Sequence, residues 1–260
     1  MTIPFVKAHG ASNDFLLTWA AQAPASDYEQ IAKAICHRHT GVGADGWMLL
    51  NPPSGETKAS IRLFNSDGSE AELSGNGTRC AAALLVHDGY ASNDIEIVTG
   101  AGLKTLRLVS REGNRYLLEM NMGTPHVREL HFPLLSRDVT LLDVGNPQCA
   151  VFVRDFDWDW QRLGAEMERH PNFPNRTNVS FIRAVDAHTI DVRFFERGAG
   201  ETMSSGTGST GAAAAAIARG SVTSPVTVKT PAGDLQIEWR SDEAILTGPA
   251  EIVVNGEFYL

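Results

Sequence analysis

Cysteine is scarce in this chain, with three among 260 residues: Cys36, Cys80 and Cys149. An odd count with no C-x-x-C spacing argues against a disulfide framework and against a zinc site. Long apolar runs are missing too. The longest, Ala212–Ala218, falls far short of the roughly 20 residues that a helix needs to span a bilayer. No run of Lys and Arg stands out and the net charge is −9, so the electrostatic footprint of a nucleic-acid binder is absent. The first residues lack a charged segment followed by an apolar one, so no secretory signal is expected. These absences predict a soluble, cytoplasmic protein with neither nucleic acid nor membrane as partner.

What the chain does have is one phrase written twice, half a chain length apart. Glu70-Ala71-Glu72-Leu73-Ser74-Gly75-Asn76-Gly77-Thr78 returns as Glu201-Thr202-Met203-Ser204-Ser205-Gly206-Thr207-Gly208-Ser209. The match extends outward: Phe64-Asn65 aligns with Phe195-Glu196, and Thr99-Gly100-Ala101-Gly102 with Thr230-Pro231-Ala232-Gly233. A repeat of this length means two related halves, each about 120–130 residues and large enough to own a core.

Between the repeats the sequence reads mostly as strands. Alternating runs lie at 60–64, 95–98, 103–108, 116–120, 140–144, 149–153, 190–195, 226–228, 235–239 and 251–254, and the turns between them are rich in Gly, Asn, Asp and Pro. Amphipathic helices are predicted over 27–37, with Ser26 as N-cap, and over 159–168. Two further helices, 78–86 and 209–218, follow the repeated phrases. They are small and apolar nearly all round, as helices wrapped by a sheet must be. The fold class is therefore α+β.

Each repeated phrase runs strand, loop, Ser-Gly-x-Gly, helix. Glycine lets backbone approach a ligand, and a helix start offers unpaired N–H groups with a positive dipole end. Two such ends suit a carboxylate. Either copy alone is weak, since Gly-x-Gly before a helix is common. Two copies in register, each after a strand and an acidic residue, carry more weight.

Further motifs follow in a set order: His9-Gly10-Ala11-Ser12-Asn13-Asp14, Gly41-Val42-Gly43-Ala44-Asp45-Gly46, Asn65-Ser66-Asp67-Gly68, Gly145-Asn146-Pro147, Asn175-Arg176-Thr177-Asn178 and Glu196-Arg197-Gly198-Ala199-Gly200-Glu201-Thr202. With the repeated phrases they make the chain resemble, over essentially its whole length, the diaminopimelate epimerases. The resemblance implies two pseudo-symmetric domains, each a curved mixed sheet around a central helix, with the substrate enclosed between them. It implies halves at 1–118, completed by a last strand at 251–260, and at 119–250. It also implies a homodimer and cofactor-independent inversion at an amino-acid α-carbon, without pyridoxal phosphate or metal. The reaction would interconvert LL- and meso-diaminopimelate in lysine and cell-wall precursor synthesis. On the same basis Asn13, Asn65, Asn146 and Asn178, with Glu196 and Arg197, would hold the distal end of the substrate. Gly75, Asn76, Gly206 and Thr207 would hold the reacting carboxylate.

The chain departs from that family's pattern at the acid/base positions. Where the family has two cysteines this chain has Ser74 and Ser205, and where it has a histidine after Gly-Asn-Pro this chain has Gln148. A thiol with a pKa of about 8.5 is readily lowered at a helix start, whereas a hydroxyl needs a partner to take its proton. Glu196 is the candidate partner for Ser205; Gln148 cannot titrate. Three readings follow. The chain is an epimerase with rewired, slow proton transfer; or a divergent or disarmed relative, natural or engineered, that binds an amino acid; or a related isomerase or hydroxy-amino-acid dehydratase. Cys80 and Cys149 are expected to pack in the core rather than take over the chemistry.

Overall fold

A computed structural model describes residues 2–56 and 58–260 of the chain. Two compact units emerge, Met1–Met120 with Gly248–Leu260, and Asn121–Thr247. Among the described residues no helix is long and apolar enough to cross a membrane.

The first unit contains β1 (Thr2–Gly10), β2 (Asn13–Trp19), α1 (Tyr28–Cys36), β3 (Gly46–Asn51), β4 (Ala59–Asn65), β5 (Glu70–Ala71), α2 (Gly75–His87), β6 (Asp94–Thr99), β7 (Gly102–Glu112) and β8 (Arg115–Asn121). The second runs through β9 (His126–Leu134), β10 (Arg137–Asp143), β11 (Pro147–Phe152), α3 (Trp160–Glu168), β12 (Asn178–Asp186), β13 (Thr189–Glu196), β14 (Gly200–Thr202), α4 (Gly206–Ala218), β15 (Val226–Thr230) and β16 (Gly233–Arg240). The last strand, β17 (Glu243–Tyr259), begins in the second unit and ends in the first.

Both units follow one pairing plan. In the first, β1 pairs with β2, β2 with β3, β3 with β4, β4 with β6, β6 with β7 and β7 with β8. β17 then pairs with both β8 and β1, closing a barrel-like ring of eight strands. The second unit repeats the order from β9 through β10, β11, β12, β13, β15 and β16 to β17. The parallel joins fall at matching places, β2–β3 and β4–β6 in one unit and β11–β12 and β13–β15 in the other. A parallel join needs a crossover, and a helix makes each of the four. This is the sheet-dominated, two-domain α+β architecture expected from the sequence.

The central helices differ from the surface ones in composition for a physical reason. In α4 every residue from Gly208 to Ala216 is buried, and the helix packs on β9, β10, β11, β12, β13, β15 and β16. Alanine and glycine let strands approach from all sides, and alanine keeps the helix intrinsically favourable. In α1 the buried residues are Ile31, Ala32, Ile35 and Cys36, one stripe of an amphipathic helix. That stripe joins a core around Trp47, Phe64, Leu16 and Ile3. The indole of Trp47 donates to Thr18 Oγ1 at 2.9 Å, and that hydroxyl to the Pro4 carbonyl at 2.9 Å, so the buried polar atoms are paired. The second unit has its own core of Trp160, Phe181, Val151, Val179 and Met167.

One helix start differs from expectation. Ser26 does not cap α1: its hydroxyl donates to the Asp27 carboxylate at 3.0 Å, and Asp27 takes the N-cap position in left-handed backbone, φ 64°. The central helices also start earlier than read, at Gly75 and Gly206.

Candidate active site

Ser205 stands in extended backbone just ahead of α4 and caps it. Its Oγ accepts the Gly208 amide at 3.1 Å, and its carbonyl accepts the Ser209 amide at 2.9 Å. The amides of Gly206 and Thr207 therefore have no carbonyl inside the helix to donate to, which leaves the helix a positive end. The hydroxyl proton of Ser205 is directed elsewhere, to Glu196 Oε2 at 2.7 Å. Glu196 Oε1 accepts the Thr202 hydroxyl, also at 2.7 Å. The short β13–β14 hairpin makes this possible, pairing Glu196 with Gly200 and Phe194 with Thr202. The Glu196 carboxylate is surrounded by protein, and that burial raises its pKa; the two hydroxyl bonds pull the other way without cancelling it. A serine that already donates to a carboxylate of raised basicity has the acceptor that a hydroxyl base requires.

The same unit gathers most of the sequence-predicted residues around α4. Asn146, in the turn before β11, donates to Thr207 Oγ1 at 3.4 Å, while its Oδ1 accepts the Gln148 amide at 2.7 Å. Gln148 is buried, and among the described residues its Oε1 has no hydrogen-bond partner. Asn178 opens β12 opposite Gln148. It donates to the Pro147 carbonyl at 3.1 Å and accepts the Arg197 amide at 3.0 Å. Behind that turn the buried Glu168 pairs with Arg176 at 2.6 Å and accepts the Gly198 amide at 3.2 Å. The loop carrying Arg197 is thus pinned at both sides.

In the first unit Ser74 caps α2 in the same way. Its Oγ accepts the Gly77 amide at 3.1 Å and its carbonyl the Thr78 amide at 2.8 Å, so Gly75 leads the helix as Gly206 does. Its surroundings differ. Among the described residues nothing accepts the Ser74 hydroxyl proton. The repeat places Asn65 where the other half has Glu196, and Asn65 donates to Ser69 Oγ at 2.9 Å within its own turn. Asn13 and Asn76 do meet, at 3.3 Å, and Asn13 donates on to Asp45 at 2.7 Å. Lys7 and Arg38 pair with Asp14 at 3.0 and 2.9 Å. Burial pushes Asp14 up, yet the bonds and charges of Arg38 and Lys7 outweigh it and hold its carboxyl below the usual range.

Among the residues of these clusters that the sequence does not single out are Thr202, Asp45 and Glu168. Thr202 and Asp45 lie inside the quoted motifs, and their partners depend on hairpin register and loop packing that spacing does not show. The three cysteines are all buried, and burial pushes each thiol up to about 12. None is placed to ionise near neutral pH.

Comparison with known proteins bears on this arrangement. The sequence matches the family profile described as diaminopimelate epimerase over residues 5–127 and 140–253. The chain belongs to the diaminopimelate epimerase family. It is 40% identical to the diaminopimelate epimerase of Pelotomaculum thermopropionicum, with 98% of each chain covered. It is 36% identical to that of Halothermothrix orenii, over 100% of this chain and 99% of the relative. Among solved structures, a PhzF-family phenazine biosynthesis protein from Bacillus anthracis superposes with a TM-score of 0.78 at 16% identity, covering 100% of both chains. A hydroxyproline epimerase from Agrobacterium vitis does so with a TM-score of 0.72 at 16% identity, over 98% of this chain and 92% of that one. At that identity the structural likeness speaks for the shared fold. Membership of an epimerase family acting on a small amino acid rests on the sequence match.

Proposed function

We propose that this chain epimerises an amino acid at its α-carbon, converting LL-diaminopimelate to meso-diaminopimelate in lysine synthesis, with serine at both acid/base positions. The observation that carries the reading is the hydrogen bond from Ser205 to Glu196 at the start of α4. In this reading the amides of Gly206 and Thr207, and of Gly75 and Asn76, receive the α-carboxylate and stabilise the charge that grows on it as the α-proton leaves. Glu196 takes the Ser205 proton as Ser205 Oγ takes the α-proton. Ser74, from the other half, returns a proton to the carbanion. Asn13, Asn65, Asn146, Asn178 and Arg197 hold the rest of the substrate. Turnover is slower than for a thiol pair, because among the described residues none accepts the proton of the second hydroxyl.

The asymmetry between the two serines favours one second reading, elimination of water from a hydroxy-amino acid, which needs a single base. Incubation with LL-diaminopimelate in D₂O, followed by NMR at the α-position, separates the readings. Deuterium entering the α-position supports epimerisation. Exchange that occurs only after Ser74→Cys/Ser205→Cys replacement identifies an intact scaffold with weak bases. Silence from both proteins overturns the diaminopimelate assignment, and release of water from a hydroxy-amino acid would install the second reading.

A further inference from the structure

Arg79 lies in the second turn of α2 with 0% of its surface exposed. Its Nε donates to the Pro249 carbonyl at 3.2 Å, one terminal nitrogen to the Gly75 carbonyl at 3.3 Å, and the other to Asn76 Oδ1 at 2.6 Å. Among the described residues no carboxylate pairs with it. Burial brings its pKa down to about 10, so it remains a cation at neutral pH. A buried guanidinium without a direct counter-ion is costly. The repeat itself does not demand one: the matching residue of α4 is Thr210, whose hydroxyl bonds back to the Gly206 carbonyl at 2.9 Å. The first half therefore carries a buried charge that the second half folds without.

The direction of the hydrogen bonds gives that charge a task. Arginine can only donate, so Asn76 must turn its Oδ1 toward Arg79. Its Nδ2 is then left to donate to Asn13 Oδ1 at 3.3 Å. Asn13 in turn has only its Nδ2 left, which meets Asp45 Oδ2 at 2.7 Å. A carboxylate can only accept, so the far end is fixed as firmly as the near one. With a cation at one end and an anion at the other, a single orientation of both amides satisfies the chain. The second half runs the opposite way, from Gln148 to Asn146 to Thr207, between partners that can each donate and accept.

We propose that Arg79 is a positioning residue that, through Asn76, fixes the amide orientation of Asn76 and Asn13, with Asp45 as the opposite anchor. The proposal rests on the reading that Asn13 and Asn76 contact the substrate. It makes the first half the preset side of recognition: the Oδ1 and Nδ2 of each asparagine are oriented before any ligand arrives, and Asn13 meets the substrate in that one orientation.

The test is side-chain amide NMR on ¹⁵N-asparagine-labelled protein, with Arg79→Gln, Arg79→Lys and Asp45→Asn beside the parent, and calorimetric titration with LL-diaminopimelate. Glutamine can donate or accept, so it no longer dictates a direction, whereas lysine still only donates. Arg79→Gln should give split or broadened Asn76 and Asn13 side-chain signals and bind the ligand about tenfold more weakly, the worth of roughly one hydrogen bond. Arg79→Lys should restore both, and Asp45→Asn should disturb Asn13 from the other end. Unchanged Asn13 and Asn76 signals in a folded Arg79→Gln protein would overturn the proposal, as would equal damage in Arg79→Lys. If Arg79→Gln does not fold, Asp45→Asn decides: undisturbed amides there overturn it. Should the parent protein fail to bind diaminopimelate at all, the substrate reading falls, while the amide signals still settle the orientation.

Discussion

Ser205 Oγ and Glu196 Oε2 are 2.7 Å apart, and the repeat offers Ser74 no counterpart, because Asn65 stands where Glu196 would be. Two helix starts alike in sequence and capping thus differ in the one group able to accept a proton. If Glu196 drives the α-proton transfer, Glu196→Gln keeps a hydrogen-bonding side chain beside Ser205 and removes the base. Solvent exchange at the α-carbon should fall by about 10²–10⁴ on that change, the usual worth of a positioned general base. Asn65→Ala should leave the exchange step far less affected and act mainly on KM. Equal losses in kcat from the two variants would contradict the asymmetry.

The raised pKa of Glu196 fixes the sign of the pH dependence. The base form is the ionised carboxylate, and burial raises its pKa above the ordinary 4.5. The acid limb of kcat/KM should therefore rise at a pH above the ordinary glutamate range and vanish in Glu196→Gln. Stability runs the other way. A carboxyl whose folded pKa is raised contributes stability that is present at low pH and lost as pH climbs through the folded value. Glu196→Gln, which cannot ionise, should accordingly unfold at higher denaturant than the parent above that pH, with no such difference below pH 4.5, where both side chains are neutral. A denaturant series across that range checks it.

Particular residues show how much of this was legible beforehand. The repeated Ser-Gly-x-Gly phrase announced both central helices, because apolar, small residues on every side leave no other home than the inside of a sheet. Their first turns are not legible in sequence, since glycine is a poor helix former and Gly75 and Gly206 are held by the serine caps instead. β3 does not read as a strand in the sequence. Trp47, Met48, Leu49 and Leu50 are all buried, so the strand shows no alternation. β9 escapes for the opposite reason, since its first four residues are exposed on both faces and only Leu134 is buried. Glu196 as partner of Ser205 was reachable through the family resemblance. The Arg79–Asn76–Asn13–Asp45 chain was not, because it joins residues far apart in sequence through loop geometry.

Packing behind the α4 cap gives a graded stability test. A Cβ at Gly208 would lie 2.8 Å from Phe194 Cδ1 and 3.0 Å from Ser205 Cβ, both buried and neither free to move far. Gly208→Ala should destabilise by about 1–3 kcal/mol, the common cost of overpacking, and should displace Ser205 enough to lower activity further. At Gly211 the nearest atom is Gln148 Cγ at 3.2 Å, on a side chain that can shift. Gly211→Ala should therefore cost less. Urea midpoints at unchanged slope would rank the two, and the reverse order would show that the α4 start is looser than its contacts imply.

The unequal neighbours of the two serines also predict unequal thiols. Cys36, Cys80 and Cys149 are buried with pKa values raised to about 12, so the parent protein should not react with iodoacetamide until it is unfolded. Ser74→Cys and Ser205→Cys each add one thiol at a helix start, where the dipole favours the thiolate. Beside position 205 the Glu196 carboxylate opposes ionisation, and the site is buried; position 74 is half-buried, and among the described residues no carboxylate bonds to Ser74 Oγ. The thiol introduced at position 74 should alkylate faster and at lower pH. Adding Glu196→Gln to the Ser205→Cys protein should narrow the gap by removing the opposing charge. If the two thiols react alike whether or not Glu196 is present, the carboxylate does not govern proton affinity at the α4 start, and the assignment of Ser205 as the driven base fails with it.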